Sequence, residues 1–167
     1  MDAEIMDTLR AIPLFASFRD QSDKLQAVAA LMSVRRISMG SYLIREGELG
    51  EELFILRRGA VEVTKTTLDN EQYTVALLRD EHHAFFGELA LMDQDKRSAT
   101  IKAVEDCEVL VLNRRDFEEL GNRHPDIGLA IMRELAKILS RRFRGTNADV
   151  ILLFEALVHE VQAEEFD

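Results

Sequence analysis

Apolar residues recur at helical spacing in the first part of the chain, on either side of a proline. One set shares a helical face ahead of Pro13, and a second set shares a face within 22–32. These residues are Ile5, Leu9 and Ile12 in the first set and Leu25, Val28, Ala29 and Met32 in the second. The spacing predicts two short helices at the start of the fold.

Between Val34 and Leu112 the pattern changes to short runs of Val, Ile, Leu, Phe and Thr separated by turn residues, which is typical of antiparallel strands. The predicted strands are 36–38, 42–45, 52–57, 61–66, 73–78, 98–103 and 108–113, and 68–71 is predicted to be a hairpin loop. Glycines stand in or beside the predicted turns, at Gly40, Gly47, Gly50 and Gly59. Regularly spaced turns of this kind indicate a barrel or a roll.

Helical spacing returns after the last predicted strand. Residues 116–120 are predicted to form a short helix, and Pro125 begins a longer one with a single apolar stripe. That stripe consists of Ile127, Ile131, Leu135, Ile138 and Leu139. We expect Gly145 to interrupt this helix before 148–161 resumes it in a near-heptad apolar pattern. The second stripe either pairs with a second copy of the chain or folds back onto the strands.

The chain has 167 residues, of which 47% are hydrophobic, and this is enough for one domain with a substantial core. We therefore expect a single domain over 1–167, with helices at 1–33, a β-roll at 34–113 and helices at 114–167. The predicted fold class is α+β, mainly β, with an antiparallel, jelly-roll-like β-roll between two helical ends.

A net charge of −10 and a pI near 4.9 argue against binding to DNA or to an anionic membrane, since both require a basic face. The longest apolar run near the end stops at Glu155, well short of the roughly 20 residues that span a bilayer. The chain has a single cysteine, Cys107, and its acidic start is unlike a secretion signal. We therefore expect it to work in the reducing cytoplasm.

The most informative segment is Phe-Phe-Gly-Glu-Leu-Ala-Leu-Met at 85–92, followed by Arg-Ser-Ala-Thr at 97–100. Gly87 permits a sharp turn into a helical segment whose first N–H groups would point at an anion. Arg97 is placed to hold the same anion with its planar guanidinium. Glu88 then makes sense only as an acceptor for nearby hydroxyls or as a partner of Arg97.

Two small residues follow the arginine. Ser98 can donate its hydroxyl to a phosphate or a base, and Ala99 leaves room for close approach of a ligand. An anion cradle, an acceptor for a diol and a small wall together describe a nucleotide site. The sequence contains neither a phosphate loop nor a dinucleotide-binding motif, so we predict a binding protein and no catalytic residues. The pair His82–His83 lacks further ligands, and we predict no metal site.

With these motifs the sequence resembles the cyclic nucleotide-binding domain family, which includes bacterial cyclic-AMP receptor proteins and regulatory subunits of cyclic-AMP-dependent protein kinase. The segments 86–91 and 97–99 are similar to the family's phosphate-binding cassette, and 43–59 resembles a second family pattern of glycines and apolar residues. The resemblance implies binding of cyclic AMP or, as the second choice, cyclic GMP. It implies that the phosphate and ribose are lined by Gly87, Glu88, Leu89, Ala90, Arg97, Ser98 and Ala99.

The resemblance also implies which residues contact the base. Apolar side chains of the roll do so in the family, and ordinary core packing would explain such residues equally well. The corresponding positions here are Val63, Val75 and Leu78. In the bacterial receptors a segment similar to 141–147 supplies hydroxyls to the adenine, so Thr146 and Asn147 are candidate base readers. A Thr or Asn at this point is also typical of a helix N-cap, and we favour that interpretation.

The sequence therefore predicts a cyclic nucleotide sensor that signals through its C-terminal helices to a protein effector. It departs from the family at Lys96, where proline is common, and at 82–84, where a glycine often precedes the cassette. The alternative is a scaffold protein that keeps the roll and no longer binds nucleotide. The other Gly-Glu-Leu segment, 47–49, is not assigned to ligand, because Glu51 and Glu52 would repel a phosphate. The chain ends about 20 residues after the segment 141–147, which is too short for a helix-turn-helix module, so direct DNA binding is not expected.

Overall fold

The computed structural model of the protein describes residues 3–164. Its N-terminal part consists of α1 (Ala3–Ala11), a 3-10 helix (Pro13–Phe18) and α2 (Ser22–Ala29). Pro13 occupies the first position of the 3-10 helix, where its missing N–H leaves no hydrogen bond unmade. The apolar face that spacing predicts for α1 is buried, with Leu9 wholly inaccessible to solvent.

Eight strands occupy the middle of the described chain: β1 (Ser33–Ile37), β2 (Tyr42–Ile44), β3 (Glu52–Arg58), β4 (Ala60–Thr66), β5 (Gln72–Arg79), β6 (Phe85–Phe86), β7 (Thr100–Ala103) and β8 (Cys107–Asn113). They form two four-stranded antiparallel sheets, ordered β1-β8-β3-β6 and β2-β7-β4-β5. Short 3-10 helices precede and follow β6, at Asp80–His82 and Glu88–Leu91. The second of these helices belongs to the segment singled out in the sequence.

The central strands of the first sheet, β8 and β3, are buried on both faces, which explains why they are continuous apolar runs. In β3, Leu53 and Ile55 pack against the helices, whereas Phe54 and Leu56 pack between the sheets. The second sheet covers the interior of the roll with Ile44, Val61, Ile101 and Ala103. The protein therefore has one core inside the roll and another between the first sheet and the helices.

Two helices complete the described chain, α3 (Arg114–Arg123) and α4 (Pro125–Glu164). They approach closely where Gly121 and Gly128 meet, since a Cβ on Gly128 would lie 2.8 Å from the Gly121 Cα. The first half of α4 is anchored by buried side chains, namely Ile127, Ile131, Leu135 and Ile138. From 141 to 159 every side chain of α4 is exposed, so this half of the helix projects away from the body.

An antiparallel β-roll with helical ends confirms the predicted fold class. Helix nevertheless accounts for 48% of residues and strand for 29%, because α4 alone contributes 40 residues. All seven predicted strands are present with shifted ends; β1, for example, begins at Ser33 and not at residue 36. The two-residue strand β6 was not predicted, because two residues carry no detectable alternation.

The expected interruption of the last helix at Gly145 is wrong, because α4 runs through it without a break. A glycine inside a helix costs only about 1 kcal/mol relative to alanine, which the flanking turns tolerate. The favoured N-cap interpretation of Thr146 and Asn147 is therefore also wrong. Thr146 instead donates its hydroxyl to the Arg142 carbonyl oxygen at 3.1 Å, within the helix.

The apolar stripe at the end of α4 does not fold back onto the strands. Val150, Leu153, Phe154 and Leu157 are between 58% and 66% exposed. Of the two expectations for this stripe, packing against the roll is excluded by that exposure. Within residues 3–164 we find no helix with the length and apolar character needed to cross a membrane.

Candidate functional site

The glycine-containing segment after β6 is fixed to the roll by an aromatic pair. Phe86 pairs with Phe54 of β3, and their rings stack at 5.6 Å between centroids. Gly87 then adopts a φ of 74°, a left-handed conformation that a side chain would disfavour. Its carbonyl accepts the first 3-10 hydrogen bond, from the Ala90 N–H at 3.2 Å. The N–H groups of Glu88 and Leu89 precede that bond, so neither has a partner within the helix.

A cavity of about 180 Å³ opens beside this segment. It brings together all seven residues to which the resemblance assigns the phosphate and ribose. The lining residues are Ile44, Gly87, Glu88, Leu89, Ala90, Asp93, Asp95, Lys96, Arg97, Ser98, Ala99 and Ile101. Ile44 and Ile101 come from β2 and β7, and sequence reasoning missed them because both look like ordinary core residues.

Arg97 lies at one side of the cavity with its side chain half-buried between two glycines. A Cβ on Gly50 would lie 2.3 Å from Arg97 Nε, and one on Gly87 would lie 2.8 Å from Nη1. The guanidinium donates to the carbonyl oxygens of Gly87 at 3.2 Å and Glu52 at 2.8 Å. Because a guanidinium has further N–H donors, it can still bind an anion from this position.

The first Gly-Glu-Leu segment holds the backbone of Arg97. The Gly47 N–H donates to the Arg97 carbonyl oxygen at 2.9 Å, and the Arg97 N–H donates to the Glu48 carbonyl oxygen at 2.8 Å. A bridge between Leu49 and Lys96 extends this pairing. The sequence did not reveal this role, since backbone hydrogen bonds between segments so far apart in the chain leave no residue pattern.

The charges around the arginine have opposing effects on its protonation. Burial lowers the pKa of the Arg97 guanidinium, while the negative charges of Glu52 and Glu88 raise it. An arginine stays protonated at neutral pH under such a shift. The cavity wall therefore carries a permanent, partly desolvated positive charge, which is what binding of a phosphate requires.

Glu88 is buried, with 6% of the residue exposed, and it is held by the C-terminal helix. The Arg142 guanidinium donates to its Oε1, and the same guanidinium lies 5.7 Å from the centroid of the Phe85 ring. A single side chain of α4 thus contacts the segment on both sides of Gly87. Sequence reasoning missed Arg142, because it is one of several arginine pairs that look solvated.

The predicted base contacts are divided between two places. Val63 and Leu78 are half-buried against the core of the roll, while Val75 is 52% exposed on β5. Thr146 and Asn147 are exposed on α4, one turn beyond Arg142. None of these five residues lines the cavity that contains Glu88 and Arg97.

Comparisons with known proteins point to the same region of the chain. The model of the cyclic nucleotide-binding domain family matches residues 34–124. The cyclic AMP receptor protein of Thermus thermophilus is 31% identical over 145 residues, which cover 87% of this chain and 63% of that protein. The cGMP-dependent protein kinase 2 of Mus musculus is 38% identical over 121 residues, which cover 71% of this chain and 15% of the kinase.

Solved structures give the same result. The Thermus thermophilus catabolite activator protein matches with a TM-score of 0.74 and 32% identity, over 84% of this chain and 62% of that one. A cAMP-bound structure of PfPKA-R matches with a TM-score of 0.63 and 28% identity, over 70% of this chain and 40% of that one. The chain therefore spans less than two thirds of the length of each of these relatives. Since the family model covers more than half of its residues, the chain belongs to the cyclic nucleotide-binding domain family.

Proposed function

We propose that the protein is a cyclic nucleotide sensor that binds cyclic AMP, or cyclic GMP, in the cavity beside Gly87. One observation carries the proposal: a buried carboxylate, Glu88, and a partly buried guanidinium, Arg97, line the same small cavity. Arg97 and the N–H groups of Glu88 and Leu89 would bind the phosphate. The Glu88 carboxylate would accept hydrogen bonds from the ribose hydroxyl.

The signal would pass to α4 through the same carboxylate. Arg142 of α4 already occupies Glu88 Oε1, so a ribose hydroxyl that donates to this carboxylate alters or reinforces that contact. Ligand binding then changes the relative stability of two positions of the helix. Thr146 and Asn147 lie one turn further along, and movement of α4 would bring them to the base together with Val63, Val75 and Leu78.

The choice between the two nucleotides belongs to the same proposal. The PfPKA-R structure contains cAMP, and the mouse kinase is named for cGMP, so relatives of both kinds support a cyclic nucleotide. Ser98 is exposed beside the cavity and can donate to either ligand. Titration of the protein with fluorescent analogues of each nucleotide ranks the two directly.

Arg97→Leu tests the phosphate contact. A charge-assisted hydrogen bond contributes about 1.5–3 kcal/mol, so we expect the Kd to rise by roughly ten- to over a hundredfold. Arg115→Leu is the matched control, because Arg115 is exposed on α3 and forms no salt bridge among the described residues. If the wild-type protein binds neither analogue and neither raises its Tm, the scaffold alternative replaces this proposal.

We also propose that two copies pair through α4. Leu129, Phe143, Val150 and Leu157 share one position of a seven-residue repeat, in which Ala136 stands between the first two. Leu153 lies about midway between the last two, and these five large apolar residues are all exposed. This is the pattern of a two-stranded coiled coil. Leu153→Glu should yield monomers in sedimentation equilibrium, whereas Leu152→Glu, which lies off the seam and is equally exposed, should not. A monomeric wild-type protein at micromolar concentration would contradict the pairing.

A further inference from the structure

A cationic face runs along the solvent side of α4. Arg133, Lys137, Arg141 and Arg144 are all exposed, and their spacing of four, four and three residues places them on one side of the helix. The face extends over about 16 Å at the rise of an α-helix. It stands out because the chain as a whole has a net charge of −10.

These cations are not neutralised by the part of the protein that the structure describes. Arg133, Arg141 and Arg144 form no salt bridge within it, and Lys137 pairs only with Glu134 of its own helix, at 2.9 Å. Arg57 on the roll behaves differently, since it binds both Glu4 and Glu108 at 2.8 Å and 3.0 Å. The face on α4 therefore has its charge available for another molecule.

The shape of the face allows a chain to approach closely. The small residues Ala136 and Ser140 lie between the cations and, with Lys137, Arg141 and Arg144, line a shallow open groove. A guanidinium binds a carboxylate through two parallel hydrogen bonds. Cations about one helical turn apart suit acidic residues at alternate positions of an extended segment, which lie on one side of it. The groove thus fits a string of carboxylates.

We propose that this face binds an acidic segment of the effector protein. The heptad pattern places Ala136 in the apolar seam but Lys137, Arg141 and Arg144 outside it, so these three cations stay exposed when two copies pair. Nucleic acid fits less well, because a long polyanion would also meet the acidic remainder of the chain. The proposal adds to the proposed function the chemistry of the segment through which the effector binds. It rests on that function only where it requires cyclic nucleotide to regulate this binding.

The test uses the full chain and a short fluorescein-labelled peptide rich in Glu and Asp, followed by fluorescence anisotropy at low salt. Arg133→Glu combined with Arg144→Glu should weaken peptide binding by at least about tenfold. Arg19→Glu combined with Arg115→Glu makes the same change in net charge at exposed residues elsewhere and should weaken it less than about threefold. Cyclic nucleotide titrations of both variants show separately whether the sensor site is intact.

Three results would overturn the proposal. The first is absence of peptide binding by the wild-type chain at low salt. The second is an equal loss in both double variants, which would show that only net charge matters. The third is tighter binding to duplex DNA or to vesicles containing phosphatidylserine than to the peptide. If the chain binds the peptide but no cyclic nucleotide, the proposed sensor function is refuted and the proposal of a docking face still holds.

Discussion

The contact between Glu88 and Arg142 gives the sharpest test of how the pocket communicates with the helix. Arg142→Met removes the charge and keeps most of the aliphatic bulk over the Phe85 ring, while Glu88→Gln keeps the shape of the carboxylate. The double variant completes a cycle that isolates the energy of this pair. Arg141→Met is the matched control, since Arg141 is exposed and forms no salt bridge within the described part of the chain.

The magnitude follows from the burial of the two partners. A hydrogen bond to a charged group contributes about 1.5–3 kcal/mol, and an exposed ion pair contributes about 0.2–1 kcal/mol. Glu88 has a side chain only 8% exposed, but that of Arg142 is 53% exposed, so solvent screens the pair from one side. We therefore expect a coupling energy of about 1 kcal/mol. Arg142→Met alone should cost more, because it leaves a buried carboxylate without its partner.

Urea unfolding of the four proteins at one fixed concentration measures the coupling. Hydrogen exchange then locates the effect, which should appear as faster exchange in α4 from about Ile138 onward. Up to residue 159, Arg142 is the last residue of α4 whose side chain forms a hydrogen bond to the body. A coupling energy within about 0.3 kcal/mol of zero, with unchanged exchange in α4, would refute the link between pocket and helix.

Three further predictions concern the stability and burial of the folded protein. Gly128→Ala should lower stability by about 1–3 kcal/mol in urea unfolding, because its Cβ would meet the Gly121 backbone, whereas Gly121→Ala makes only ordinary contact and should not. Gly145→Ala should raise helix content and stability by up to about 1 kcal/mol, measured by circular dichroism, since nothing lies near its added Cβ. Burial raises the pKa of the Cys107 thiol, so iodoacetamide should label it slowly in the native protein and rapidly in urea; rapid native labelling would contradict its burial.

Sequence patterns predicted the helices and strands whose apolar residues recur with a regular period. Alternation and continuous apolar runs located the long strands, because a strand buried on one or both faces imposes a period on its residues. The cassette at 85–92 was recognisable because Gly87 permits a sharp turn into a helical segment and is followed by a charged Glu88 among apolar residues. Arg97 was found because an anion site requires a cation next to it.

Features that depend on contacts between distant segments were not predictable. The hydrogen bonds of Gly47 and Glu48 to Arg97 join backbone atoms alone, so any residue with the right conformation would form the same bonds. Ile44 lines the cavity only because its strand ends there. The continuity of α4 through Gly145 was misjudged, since the three weak helix formers at 145–147 do not outweigh the stronger ones in the turns before and after them.

The position of Arg142 has a consequence for how ligand recognition and signalling can be separated. Because the proposed ribose contact and the helix contact share the Glu88 carboxylate, any substitution of Glu88 disturbs both at once. Arg142 is more than half exposed and does not line the cavity, so its removal should spare the phosphate contacts of Arg97. A variant that binds nucleotide but no longer transmits the signal should therefore come from the helix side of the pair. Binding lost together with signalling in Arg142→Met would mean that the helix forms part of the pocket itself.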